Sequence, residues 1–446
     1  MSSLSSRRYS KWLDVERETP KELKQLVRSC RLLQKRARAV PAGKGIAMVF
    51  RRDWLLSGCD EVAAPAGFSL PELGGMLPPV EKPYCPPSET ELLVVTYQQK
   101  PSAWLCNFVK SFGYAGVSVT VLGWDPHGFS RGNNVFYYSG RVFATLRYLL
   151  ACRQRLSPNA FFLFCDVDEL LQVSAATLLA TIRDSFRTAR RGTELIFSAE
   201  AMCTPRKMGQ RAWAHAEAMR PGMHKKRPRC LNTGNYVGTV ATVIRYLNGT
   251  CLPCQEEGLS IDAVYRRYTR AFSATVGVWR GLELKPNEWA YPEQYVAMSQ
   301  YLAMNPNTSR WTLDFDQRLF HPNYWYNANW EVRVTDSGRL RNAWSGSTPA
   351  LIHYNGNSKT LWKKEYSAAG VDRALRHEFA ARSAGGPNLP ALTDTQVDAK
   401  LETFLREHVT FLGATFERDP GVSLGQVCRS NRAATASSST STVQLQ

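Results

Sequence analysis

The sequence predicts an α/β protein, a mostly parallel sheet with helices on both faces, preceded by a basic helical extension. Two observations carry this prediction. From Glu91 onward, short apolar, β-branched runs alternate with stretches of helical length and periodicity. The run "FFLFC" (161–165) then ends on Asp166, Asp168 and Glu169, three carboxylates within four positions. Ligands of open α/β sheets bind beyond the carboxyl ends of the strands. Packed like charges resist burial, so this cluster must be solvated, paired with cations or bound to a metal.

The elements follow in order. Residues 1–52 read as a basic helical extension, with Thr19 as N-cap and Pro20 at the first helical position. Leu23, Leu26, Val27 and Cys30 share one face of that helix. Residues 53–90, rich in Pro and Gly, read as an extended connector. Then come the strand "ELLVVTYQ", the helix "SAWLCNFVKSFGYAG", the strand "VSVTVLGW", the helix "SGRVFATLRYLLACRQRL" and the strand "AFFLFCDVDEL". Ser174 caps the next helix, "SAATLLATIRDSFRTARR", and the strand "ELIFSAEAM" follows. Beyond Arg206 the pattern is less regular. It includes a basic loop, "LNTGNYVG", "YPEQYV", the aromatic run "RLFHPNYWYNANWEV" and "PALIHYNGNSKTLW". A helix is expected near 393–411, with Val397, Leu401, Phe404 and Leu405 on one face. The Ser/Thr-rich residues 432–446 read as a disordered tail.

The chain has 446 residues, 44% of them hydrophobic, enough for a sizeable core. Its net charge of +18 is concentrated. Residues 1–52 hold 14 Lys/Arg against 4 Asp/Glu, a net +10, and residues 206–229 hold 8 against Glu217, a net +7. These segments suit weak polyanion binding, or they are simply a solvated basic arm. No run approaches the roughly 18 apolar residues of a membrane span. The start lacks a signal-peptide pattern. The expected location is therefore cytoplasmic or nuclear, or the ER/Golgi lumen if the true start lies upstream. Eleven cysteines are scattered, and only "CLPC" (251–254) is tightly spaced, which is weak evidence for zinc.

Two aspartates one residue apart, after an apolar strand, can share a divalent cation, and oxygen ligands suit Mg²⁺ or Mn²⁺. Such a cation neutralises a diphosphate and stabilises it as a leaving group. The order "ELLVVTY", "FLFCDVDEL", "LIFSAEAMCTP", "CLNTGNYVG", "PEQYV", "LDFDQRLFH", "ALIHYNGNSKTLW" resembles the glycosyltransferase domain of procollagen lysyl hydroxylases, and more broadly the GT-A sugar-nucleotide transferases. The resemblance covers about residues 91–365. It leaves 366–431 as a C-terminal helical extension.

The resemblance implies a GT-A-like (Rossmann-like) fold that binds Mn²⁺ and a UDP-sugar donor. Its metal ligands map onto Asp168 and His353, with Asp166 as the second carboxylate; the family spaces its two aspartates by two residues, this chain by one. Thr96 falls where the family meets the uridine. Arg141, opening the helix of "SGRVFATL", takes the place of a family Lys near the diphosphate. Asn232 and Gly234 fall in the sugar pocket. Glu293 and Gln294 replace an aspartate-rich run, so acceptor handling is the part that transfers least; Asn232 and Glu293 are the candidate catalytic residues. The residues alone leave Glu293 equally a helix N-terminal acid favoured by the dipole. Trp124 could stack on the uracil ring or pack under the sheet. His127, His215, His224, His321, His377 and His408 show no ligand pattern and read as structural.

The implied activity is Mn²⁺-dependent transfer of a hexose, glucose or galactose, to a hydroxyl acceptor on a protein, a glycan or modified DNA. A hydroxylysine-like acceptor follows the resemblance most closely. The basic segments suggest an alternative acceptor, hydroxymethylated DNA bases. A non-catalytic binding module of the same fold is a third reading.

Overall fold

A computed structural model describes residues 83–125, 134–201, 203, 208–223, 228–250, 292–323, 332–343, 345–355, 371–384, 392–413 and 416–428. All of them belong to the compact unit 74–446. The helical extension 1–52, the motif at 251–254, most of the connector, the aromatic run from Tyr324 and the Ser/Thr-rich tail lie outside the described residues.

Seven strands form the central sheet: β1 (Leu92–Tyr97), β2 (Val119–Leu122), β3 (Phe161–Cys165), β5 (Leu195–Glu200), β6 (Cys230–Thr239), β7 (Trp311–Leu313) and β12 (Val409–Leu412). Their order is β12-β2-β1-β3-β6-β5-β7. All pairings are parallel except those of β6, which runs antiparallel to both neighbours. A second sheet of three short strands, in the order β4 (Glu169–Leu171), β11 (Leu351–His353), β8 (Phe320–Pro322), stands beside it. A hairpin of β9 (Val332–Val334) and β10 (Leu340–Asn342) completes the β structure among the described residues.

Helices cover both faces of the main sheet, as the sequence predicts. Strand residues alternate between two cores because successive side chains point to opposite faces. Leu93, Val95, Phe162 and Phe164 face α2 (Asn134–Cys152), α4 (Gly209–Met219), α5 (Val240–Thr250) and α6 (Pro292–Ala303). Val94, Leu163 and Ile196 face α1 (Ala103–Ala115), α3 (Ala175–Thr188), α7 (Val371–Ser383), α8 (Asp394–His408) and α9 (Leu424–Cys428).

The helix ends have local causes. Ser102 accepts from the Leu105 amide and starts α1, and Gly116, at φ 75°, ends it. Ser174 caps α3 as expected, accepting from Thr177. Thr393 and Gln396 form a capping box on α8.

The C-terminal segment differs from its reading as a helical extension. α8 stops at His408, and the β-branched and aromatic residues Val409, Thr410 and Phe411 form edge strand β12, parallel to β2. Val397, Leu401 and Leu405 are buried against the rest of the core, as their spacing predicts. The last described residues of the connector also dock: Tyr84 N–H donates to Phe416 O at 2.9 Å.

Among the described residues, three disulfides join parts that cysteine spacing does not reveal. They link Cys85 to Cys152, Cys106 to Cys428 across 322 residues, and Cys203 to Cys230, with Cα–Cα distances of 5.5, 4.9 and 5.0 Å. Cys165 is a buried free thiol. No helix among the described residues is long and apolar enough to cross a membrane.

Candidate metal centre

Three strand ends converge on one point. β3 delivers Asp166 and Asp168. β4 begins at Glu169 and pairs antiparallel with β11, so that His353 stands opposite Glu169. Tyr354 N–H donates to Asp168 O at 2.9 Å and fixes the approach. This pairing brings a residue 185 positions downstream onto the carboxylates.

The third contribution is β6. Its register with β5 shifts between Phe197, opposite Tyr236, and Ser198, opposite Asn232. Thr233, Gly234 and Asn235 bulge between these pairs, and the Gly234 carbonyl accepts from Asp166 N–H at 2.9 Å. A Cβ on Gly234 would lie 2.5 Å from His353 Cε1 and 2.8 Å from both Asp166 Oδ2 and Asn232 Oδ1. Any side chain here would force the ring or the carboxylates to shift, so glycine suits this close backbone approach.

Asp166, Asp168 and His353 each offer one ligand atom, and these atoms lie within 4.8 Å of one another. His353 Nε2 is 3.4 Å from Asp168 Oδ1 and 3.8 Å from Asp166 Oδ2. On the other side of the ring, Nδ1 lies 3.4 Å from Glu169 Oε1, close but not aligned as a hydrogen bond. A ligating imidazole whose second nitrogen faces a carboxylate is the usual way of fixing its tautomer and orientation. Burial opposes charge on His353, but Glu169, Asp168 and Asp166 outweigh it and hold the imidazole up to about 9. Glu169 is wholly buried, and that burial pushes its carboxyl well above the ordinary range. The donor set, two aspartates and an imidazole around a backbone cradle, fits a divalent cation that accepts oxygen and nitrogen ligands.

The cluster extends beyond these three. Arg141 lies within α2 rather than opening it, because the helix begins at Asn134. It pairs with Asp166 and with Glu293 Oε1 (2.8 Å) and donates to Thr233 Oγ1 (3.0 Å). Glu293 stands in the first turn of α6 and is buried. Burial, outweighing the adjacent guanidinium, pushes its carboxyl up to about 7.

Asn232 Nδ2 donates to Glu200 Oε2 at 2.9 Å, and its Oδ1 accepts from Gly234 N–H at 2.6 Å. Glu200, at the end of β5, also accepts from Gln294 Nε2 (2.7 Å) and Asn355 Nδ2 (3.0 Å). Burial lifts its carboxyl to about 7 against these three amides. Sequence reasoning counted Glu169 in the acidic cluster without giving it a place beside His353, and it passed over Glu200. The signal for Glu200 was present, since "LIFSAE" closes on an acid much as "FFLFC" is followed by Asp166.

Two further expected site residues, Thr96 and Trp124, are buried. Thr96, at the end of β1, is fully buried, and its hydroxyl has no hydrogen-bond partner among the described residues. Trp124 packs on Phe411 with ring centroids 4.7 Å apart, the packing alternative rather than an exposed stacking platform. Of the histidines read as structural, His215 packs edge-on against Tyr301 and His321 is buried among amides; His127 and His224 lie outside the described residues.

No family model matches the chain, and no curated protein matches it. Among solved structures, the chain is similar to mouse xyloside xylosyltransferase 1 in its apo form, at 11% identity and a TM-score of 0.30. The match covers 60% of this chain and 98% of that one.

Proposed function

We propose that the protein is a Mn²⁺-dependent glycosyltransferase that moves a hexose, glucose or galactose, from a UDP-sugar to a hydroxyl acceptor. The observation that carries the reading is the Asp166–Asp168–His353 group around Gly234, at the carboxyl end of a sheet whose sequence motifs resemble sugar-nucleotide transferases. Asp166, Asp168 and His353 would hold the metal, which when bound supplies positive charge to a departing diphosphate. Asn232 and Glu200, joined across β5 and β6, form a buried polar wall beside it. A carboxyl held near 7, as in Glu200, is poised to hold or give up a proton at neutral pH.

Two observations refine the setting. The described part of the basic segment 206–229 is not an open cationic loop. Residues 209–219 are α4, Arg220 pairs with Asp316, and Arg229 is buried over Trp213. The disulfides among the described residues favour an oxidising compartment, such as the ER/Golgi lumen, over the cytoplasm or nucleus.

The test is UDP release by the purified full chain across a panel of UDP-sugars, with and without Mn²⁺. The reading expects Mn²⁺-dependent release from UDP-glucose or UDP-galactose. Silence across the panel from folded, Mn²⁺-binding protein would leave a binding module in its place.

A further inference from the structure

Arg141 is expected from the sequence resemblance to touch the donor diphosphate. Its surroundings assign it other work. The side chain is buried, and its guanidinium lies 5.5 Å from the centroid of the Phe164 ring. Nη1 bonds Asp166 Oδ1, while Nη2 donates to Thr233 Oγ1 and Glu293 Oε1. Asp166 therefore divides its oxygens. Oδ1 is taken by Arg141, and Oδ2 faces His353 Nε2 and the space that a Cβ on Gly234 would fill.

The geometry points to Arg141 as a positioning residue for the metal centre: it pins Asp166 by one oxygen so that the other is presented to the cation. Glu293 and Thr233 are the anchors that hold Arg141 from α6 and β6. The inference rests on the metal-binding reading of Asp166, Asp168 and His353 given above.

Two effects oppose one another here. A guanidinium close to the site repels a divalent cation. Against that, a ligand carboxylate freed of its outer partner must be ordered again on every binding event. Removing such outer partners usually weakens metal affinity by about 10–100-fold. The repulsion is offset because Glu293 neutralises the far edge of the same guanidinium at 2.8 Å. What faces the metal is an Arg–Glu pair rather than a lone cation, so orientation dominates.

The test is Mn²⁺ titration without nucleotide, read by electron paramagnetic resonance, on full-length wild type, Arg141→Gln and the double variant Arg141→Gln/Glu293→Gln. The double variant removes the buried Glu293 carboxylate that Arg141→Gln alone would strip of its cation, the main reason the single variant could fail to fold. The expected result is Mn²⁺ binding weakened by about 10–100-fold in whichever variants fold, with an altered spectrum of the bound ion. Unchanged or tighter Mn²⁺ binding, with UDP affinity lost instead, would overturn the inference and return Arg141 to the diphosphate. Wild-type protein that binds no Mn²⁺ would overturn the metal reading itself, and this inference with it.

Discussion

His353 and His321 stand on adjacent parallel strands, one pair apart in register, and both are buried. His321 has amides for company. Its Nδ1 lies 2.8 Å from Gln317 Oε1 and 3.0 Å from Asn342 Nδ2, and burial alone pushes the ring down to about 4. His353 suffers the same burial but has three carboxylates around it, and is held up to about 9. Depth in the fold is equal, so the neighbours decide. One histidine is a neutral framework residue, and the other sits in a site with excess negative charge that a proton or a metal must offset.

The largest break in this comparison should come from removing a carboxylate. Asp168→Ala should abolish Mn²⁺-dependent UDP release while leaving the circular dichroism spectrum unchanged, since the variant also relieves like-charge crowding at the strand end. Asp166→Ala should follow the same direction. Retained turnover in a folded Asp168→Ala protein would count against the site.

Gly234→Ala should come next. Its Cβ would intrude to 2.5 Å from His353 Cε1, so ring and carboxylates must shift. A loss of roughly 1–3 kcal/mol in stability is expected, from denaturant titration, together with weaker Mn²⁺ binding. A variant that binds Mn²⁺ as tightly as wild type would show that the cradle is not part of the site.

A pH series sharpens the contrast. Ligation needs neutral imidazole, and the metal-free His353 stays protonated up to about 9. Apparent Mn²⁺ affinity should therefore climb as pH rises toward 9, by about tenfold per unit where a single proton is displaced. His353→Ala should bind weakly and flatten that dependence. A wild-type profile that levels off near the ordinary histidine value, around 6.5, would contradict the carboxylate-rich surroundings.

The smallest effect on the metal centre belongs to His321, whose acid sensitivity has the opposite sign. Its folded value near 4 lies below the unfolded one, so the unfolded chain binds the proton more readily. Stability is unaffected above about pH 6.5 and falls as pH drops from there toward 4, by on the order of 3 kcal/mol at most. His321→Leu should remove that acid sensitivity, seen in melting temperatures across pH, without touching Mn²⁺ binding.

How much of this was legible in the sequence varies by element. The alternation after Glu91 showed the α/β class, because strands buried on both faces read as apolar runs and the helices between them keep their periodicity. Asp166 and Asp168 were legible because acids closing an apolar strand are conspicuous. His353 was found only through its Asn-Gly context, since nothing in local spacing announces a pairing of β11 with β4. Glu200 was missed, and Glu169 was seen only as a member of the acidic cluster, because their partners come from β6, α6 and β11 and meet them only on folding. β12 was read as helix because the α8 periodicity runs up to it, and only sheet pairing with β2 separates the two. The disulfides were invisible for the same reason: Cys106 and Cys428 are 322 residues apart and meet through α1 and α9.

The claim on which the rest depends is that Asp166, Asp168 and His353 together hold one divalent cation. Calorimetric Mn²⁺ titration of the full chain, beside Asp168→Ala, His353→Ala and His321→Leu, tests it most directly. The account predicts a single Mn²⁺ per wild-type chain, wild-type binding in His321→Leu, loss of binding in Asp168→Ala and markedly weaker binding in His353→Ala. Wild-type affinity in Asp168→Ala, or equal loss in His321→Leu, would contradict it.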